Sequence, residues 1–182
     1  MFCGIVLAGG AAARLSGVDK PMLDVGGRSL LQRAVSALGA ADPVIVVGPA
    51  RAGFPGVRWV REDPPGGGPV SALAAGLALL PSRPGGLVAV LAGDLAGVEE
   101  STVDKLLAAV GGSDGAVLVD EQGRRQWLIG AWRAERLRAV LPAEPSGAAL
   151  RRMLAGLSIV EVPAEPGESA DVDTPEDLDR LR

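Results

Sequence analysis

The chain has 182 residues, 48% of them apolar, with 18 basic against 22 acidic side chains and a net charge of −4. This length predicts one domain spanning 1–182, large enough to fold without disulfides or a structural metal. A single cysteine, Cys3, and no histidine exclude a disulfide scaffold, a zinc ribbon, a Ser-His-Asp hydrolase and a His-based proton shuttle. Net acidity argues against a nucleic-acid partner held on a basic face, but leaves room for a phosphate-bearing ligand, which needs only a few local donors.

Glycine (26) and proline (14) are abundant, and Asn and Tyr are missing. That pattern fits a G+C-rich coding bias, so only glycines at specific spacings are informative. The start, Met1-Phe2-Cys3-Gly4, lacks the charged first region of a signal peptide. The longest uncharged stretch, Pro64 to Ser82, holds a continuous apolar segment only over Val70–Leu80, too short to cross a bilayer about 30 Å thick. The expectation is a cytoplasmic protein without a membrane partner, a monomer or small homo-oligomer.

In chain order, short aliphatic runs alternate with helical periods. Ile5–Ala8, Val44–Val47, a weaker Val57–Val60 and Leu87–Leu91 read as strands buried on both faces. Ser29-Leu30-Leu31-Gln32 is a capping box, opening a helix with Leu30, Leu31, Ala34, Val35 and Leu38 on one face. Pro69 suits a helical first turn, and that helix runs to Pro81. Val103, Leu106, Leu107 and Val110 mark a third helix, and Thr174-Pro175-Glu176-Asp177 opens a last short one. Ala116–Val119, Trp127–Trp132 and Ser158–Val162 read as further strands, some antiparallel at an edge. The alternation predicts an α/β fold: three layers, Rossmann-like and doubly wound, with a mostly parallel sheet and helices on both faces.

Ligands of such sheets bind at the carboxyl ends of the strands. The segment there is Leu7-Ala8-Gly9-Gly10-Ala11-Ala12-Ala13-Arg14-Leu15-Ser16-Gly17-Val18-Asp19-Lys20-Pro21. Small residues let backbone approach a ligand closely. Arg14 and Lys20 add a guanidinium fork and a point charge, which together make a phosphate cradle. The plain alternative is a Gly-Ala turn with solvated charges. The spacing matches neither the P-loop nor the dinucleotide fingerprint.

The string L-A-G-G-x-x-x-R-x-x-G-x-D-K-P after an N-terminal strand resembles the signature of nucleotidyltransferases, in particular the molybdenum cofactor guanylyltransferase branch. The resemblance implies a nucleoside triphosphate on this loop, bound by Leu7, Ala8, Gly9, Gly10, Arg14 and Lys20, with the two cations neutralising departing pyrophosphate. Ser16 stands where glycine is usual.

Further segments resemble the same family in the same order. Arg61 to Pro69 resembles an acidic residue followed by a Gly-Pro element flanking the base. It nominates Asp63 as a reader of guanine's paired N–H donors, with Gly68 beside it; a helix-capping role is the alternative. Gly48 falls where some relatives carry a base-contacting Asn. Leu91-Ala92-Gly93-Asp94-Leu95 puts a carboxylate at a strand end, where the resemblance implies Mg²⁺ and the alternative is a cap. The proline that usually follows is replaced by Ala96-Gly97. Asp171-Val172-Asp173-Thr174-Pro175-Glu176-Asp177-Leu178 resembles the late family motif, so Asp173 would join Asp94 at the metal, unless it or Thr174 only caps the last helix.

Arg124, Arg125, Trp127 and Trp132 lie where the family takes its acceptor, and an indole could stack on a flat pterin; core burial is the alternative for the tryptophans. The implied reaction is Mg²⁺-dependent transfer of GMP from GTP to the phosphate of molybdopterin, with Arg14, Lys20 and Asp94 catalytic. Gly10 favours GTP over CTP, whereas Asp171-Val172-Asp173 looks more like the cytidylyl version. Transfer to another acceptor, such as cytidylyl transfer to molybdopterin or transfer to a sugar phosphate, and a silent nucleotide-binding paralogue are the other readings.

Overall fold

The computed structural model describes residues 1–9, 14–15 and 18–171. In chain order the elements are β1 (Cys3–Leu7), β2 (Arg14–Leu15), β3 (Val18–Asp19), a 3-10 turn (Lys20–Met22), β4 (Asp24–Val25), β5 (Arg28–Ser29) and α1 (Leu30–Ala37). Then come β6 (Val44–Val47), β7 (Arg58–Val60), α2 (Pro69–Ala78), β8 (Leu87–Ala92) and α3 (Glu100–Val110). The chain continues through β9 (Gly115–Val119), β10 (Arg125–Arg133), α4 (Ala134–Val140), α5 (Leu150–Leu154) and β11 (Ile159–Pro163).

A seven-stranded sheet in the order β11-β9-β10-β8-β1-β6-β7 forms the middle layer. β1 pairs in parallel with both β6 and β8, so the strand order reverses at its carboxyl end. That is the position where open α/β sheets form a crevice. β10 is antiparallel to β8 and to β9, and β11 runs parallel to β9. The antiparallel member therefore lies inside the sheet, and the edge strand β11 is parallel, unlike the edge placement expected.

The aliphatic runs are explained by burial on both sides. Ile5, Leu7, Ile45, Val47, Val88 and Val90 pack with residues of α2, α4 and α5. Val6, Val46, Ala89 and Leu91 pack on the other side with α1 and α3. Successive strand residues point to opposite faces, so each run feeds two cores. The α1 capping box forms as its sequence predicts: Gln32 N–H donates to Ser29 Oγ at 3.1 Å, and Ser29 N–H donates to Gln32 Oε1 at 2.8 Å.

Both faces thus carry helices, as expected, and α4 and α5 add to the three helices that the sequence predicts within the described residues. The helix expected from Thr174 lies outside the described residues. No helix among the described residues is long and apolar enough to cross a membrane.

Candidate active site

Three segments meet at the carboxyl end of β1. β1 itself delivers Leu7, Ala8 and Gly9. The end of β8 delivers Ala92, Gly93 and Asp94, tied across by Gly93 N–H donating to Leu7 O at 2.8 Å. The turn between β7 and α2 delivers Glu62, Gly66, Gly68 and Pro69. Together with Pro21, Ala72 and Leu128 they line a cavity of about 300 Å³, at the small end of the range for ligand pockets. Its apolar walls and few convergent polar groups are the usual make-up of a small-molecule site.

Lys20 sits at the start of the 3-10 turn, 3% exposed, with Nζ 2.9 Å from Asp94 Oδ2; Asp94 is 28% exposed. A buried ammonium is tolerated because this carboxylate compensates it. The pairing holds the two groups that the sequence nominated from positions far apart in the chain at one end of the cavity.

Asp19, the residue before Lys20, is gripped from the loop after β6. Arg51 Nε and Nη2 donate to its two carboxylate oxygens at 2.7 Å each, and Nη2 also reaches Ala8 O at 3.2 Å. This bidentate fork fastens β3 to the end of β1. Gly48 explains how close that loop lies. Its φ is +150°, and a Cβ there would come 2.7 Å from Ala8 O. Gly48 therefore supplies close backbone approach at a position with no room for a base-contacting side chain.

Leu7, Ala8, Gly9, Gly68 and Asp94 line this one cavity, with Lys20 bonded to the last. Gly10, Asp173 and the Arg14 side chain lie outside the described residues. The backbone leading to Asp173 does reach the site: Asp171 bridges to Leu95, and Ala96 N–H donates to Ala170 O at 2.9 Å. Asp63 is exposed and does not line the cavity; its neighbour Glu62 is buried and does. Sequence reasoning missed Glu62 and Arg51. The Glu62-Asp63 pair was visible as such, but which carboxylate turns inward is set by how the chain leaves β7. Arg51 carries no local signal.

A second cavity, of about 600 Å³, opens between β10, α5 and β11, lined by Gly123, Arg124, Arg125, Trp127, Arg151, Ala155 and Glu161. The Arg125 guanidinium lies 5.4 Å from the Trp127 ring centroid and bonds Glu161 at 2.7 Å. Arg124 Nε donates to Asp120 at 2.9 Å. The register of β10 against β9 shifts between Gln126 and Gly130, and this irregular stretch places Leu128 in the first cavity and Trp127 in the second.

Trp132 is different. It is 1% exposed, and its indole fills the space left by Gly115 and Gly130. The acceptor role expected of it is corrected: a ring enclosed on all sides offers no face to a ligand.

Carboxylates near the second cavity and along the sheet are strongly held. Asp120 accepts from the Arg124 and Gln122 backbone N–H groups, both at 2.9 Å, and from Gln126 at 2.8 Å. These bonds, the Arg124 backbone N–H foremost, hold its carboxyl below the usual aspartate value.

The sequence profile of the family described as "MobA-like NTP transferase domain" matches residues 4–162. A molybdenum cofactor guanylyltransferase of Bradyrhizobium sp. (strain ORS 278) is 34% identical over 71% of this chain and 65% of its own length. A probable molybdenum cofactor guanylyltransferase of Opitutus terrae is 30% identical over 98% of this chain and 94% of its own. Among solved structures, molybdopterin-guanine dinucleotide biosynthesis protein A from Archaeoglobus fulgidus superimposes with a TM-score of 0.70 at 18% identity, covering 99% of this chain and 96% of that one. That likeness speaks to the fold.

Proposed function

Because the chain belongs to the MobA-like NTP transferase family, and is with it a nucleotidyltransferase, we propose that it transfers GMP from GTP to the phosphate of molybdopterin, releasing pyrophosphate. The observation that carries this reading is the cavity at the end of β1, with the Lys20–Asp94 pair at one end. The names of the relatives support the guanylyl and molybdopterin parts.

The acceptor's phosphate oxygen attacks the α-phosphorus in line. A new P–O bond forms, the bond from the α-phosphorus to the bridging oxygen breaks, and pyrophosphate departs with the electron pair. A phosphate oxygen is already ionised at neutral pH, so the chain needs no strong base, in keeping with its lack of histidine. Lys20, held by Asp94, supplies positive charge beside the phosphate chain, and Arg14 a planar fork. Catalysis is positioning and charge neutralisation.

The donor set fits Mg²⁺, which takes one or two carboxylates and fills the remaining positions with phosphate oxygens and water. Asp94 lines the cavity, and the chain leading to Asp173 returns beside it. Asp94 and Asp173 would hold the ion, which when bound neutralises phosphate charge. The acceptor is assigned to the second cavity, where Trp127 offers a ring face and Arg124, Arg125 and Arg151 offer donors.

The test is pyrophosphate release from GTP, CTP, ATP and UTP with Mg²⁺, each with molybdopterin. The expected result is release that depends on molybdopterin and is fastest with GTP. Faster release with CTP would replace guanylyl by cytidylyl transfer. No release with any of the four would overturn the acceptor.

A further inference from the structure

β2 and β3 have two residues each. Among the described residues they pair with one another alone, Arg14 with Asp19 and Leu15 with Val18. A two-stranded pair this short does not hold its shape in water unaided. Yet its last residue, Asp19, directly precedes Lys20, whose ammonium stands 2.9 Å from Asp94 at the cavity. A lysine head sits on a flexible four-carbon stem, so its position is defined only when the backbone is fixed as well. Asp94 bonds the head, and a second contact has to fix the stem.

Arg51 makes that contact. Nε and Nη2 donate to the two oxygens of Asp19 at 2.7 Å each, Nη2 donates to Ala8 O at 3.2 Å, and Nη1 donates to Pro49 O at 3.1 Å. These bonds use all but one of the N–H groups of the guanidinium. The side chain is 9% exposed and does not line the cavity, so it reaches a ligand through what it holds. Its own loop is anchored to the sheet, where Gly48 N–H donates to Val60 O at 2.8 Å. Beyond Asp19, Leu23 N–H closes the 3-10 turn on Lys20 O at 3.0 Å, and Pro21 of that turn lines the cavity. A continuous run of bonds thus leads from the β6–β7 frame through Arg51 and Asp19 to Lys20 and Asp94.

We propose that Arg51 is a positioning residue for the phosphate end of the nucleotide: through Asp19 it sets where Lys20 stands beside Asp94. This rests on the proposed nucleotide site, and the experiment separates the two. Affinities for GTP with Mg²⁺ are measured by calorimetry, and for GMP by competition with GTP. The proteins are the unmodified chain, Arg51→Met, Arg51→Lys, Asp19→Asn, Lys20→Met and the double variant Arg51→Met/Lys20→Met, with melting curves to verify folding. Arg51→Met should weaken GTP at least about tenfold and GMP less than about threefold, because GMP lacks the two outer phosphates. Asp19→Asn breaks the same link from its other end and should show the same contrast. In the Lys20→Met background, Arg51→Met should change GTP affinity less than about threefold.

Equal weakening of GTP and GMP would make Arg51 a scaffold residue and overturn the proposal. So would a normal GTP affinity in Asp19→Asn, which would mean that Arg51 acts on the ligand directly. A full loss on adding Arg51→Met to Lys20→Met would show that the effect does not pass through Lys20, and would overturn it too. Where Arg51→Met fails to fold, Arg51→Lys, which keeps the charge and loses the planar fork, decides by the same GTP-to-GMP contrast. Failure of the unmodified protein to bind GTP overturns the nucleotide site itself and the role of Arg51 with it. GTP binding without transfer to molybdopterin removes only the acceptor, and the contrast still decides on Arg51.

Discussion

Removing either member of the Lys20–Asp94 pair leaves a different charge behind. Lys20→Met leaves a carboxylate that water reaches, since Asp94 is 28% exposed. Asp94→Asn leaves a 3% exposed ammonium facing an amide. The second change should cost more stability, about 3 kcal/mol against about 1 kcal/mol, read from urea midpoints. Both should lower kcat by at least about a hundredfold, the scale of losing one preorganised charge contact. Equal stability losses, or near-normal turnover in either variant, would contradict the pairing as described. The two tryptophans separate in the same way. Trp132→Ala should destabilise by about 3–5 kcal/mol, because the indole is fully enclosed. Trp127→Ala should instead raise the KM for the acceptor while leaving that for the nucleotide near its original value.

The elements around the site are fastened by contacts that local propensity does not foretell. Gly115 in β9 faces the Trp132 ring so closely that a Cβ would lie 2.2 Å from its Cε3 atom. Gly115→Ala should therefore cost about 1–3 kcal/mol through overpacking, measured by chemical denaturation. Arg51 joins the β6 loop to β3 and to the Ala8 carbonyl. Arg51→Lys loses the planar fork, and should raise nucleotide KM about tenfold with a smaller effect on kcat.

At the opposite side of the sheet, Glu168 receives Lys105 Nζ at 2.6 Å and the Glu165 backbone N–H at 2.8 Å. Burial pushes its carboxyl up, but the Lys105 ammonium, the Thr102 hydroxyl and the Glu165 N–H outweigh it, and the net shift is downward. A lowered folded-state pKa contributes stability that is present above the ordinary glutamate range. That stability is lost as pH falls through the lowered value. Lys105→Met should reduce this acid-dependent loss; an unchanged acid unfolding profile would show that the contact adds nothing.

For the molecule as a whole, two cavities flank the irregular stretch of β10 along one rim of a single sheet. Ligand at a hundred times its Kd adds about 2.7 kcal/mol of stability through mass action alone. GTP with Mg²⁺ should therefore raise the melting temperature of the unmodified protein, and Asp94→Asn should abolish most of the rise. Among the described residues, the segment after β11 returns to the end of β8, where Asp171 bridges to Leu95 and Ala170 accepts from Ala96.

The α/β alternation, the α1 capping box and the strand-end position of Asp94 were legible in the sequence, because each depends on neighbours a few residues apart. Twofold and 3.6-residue periodicity report burial directly, and a capping box is closed by its own side chains. Asp63 against Glu62, Trp127 against Trp132, and the grip of Arg51 on Asp19 were decided only in three dimensions. In each case the chain offers residues of suitable chemistry, and what selects among them is which one the packing turns into a cavity, into the core, or toward a loop that the sequence places far away.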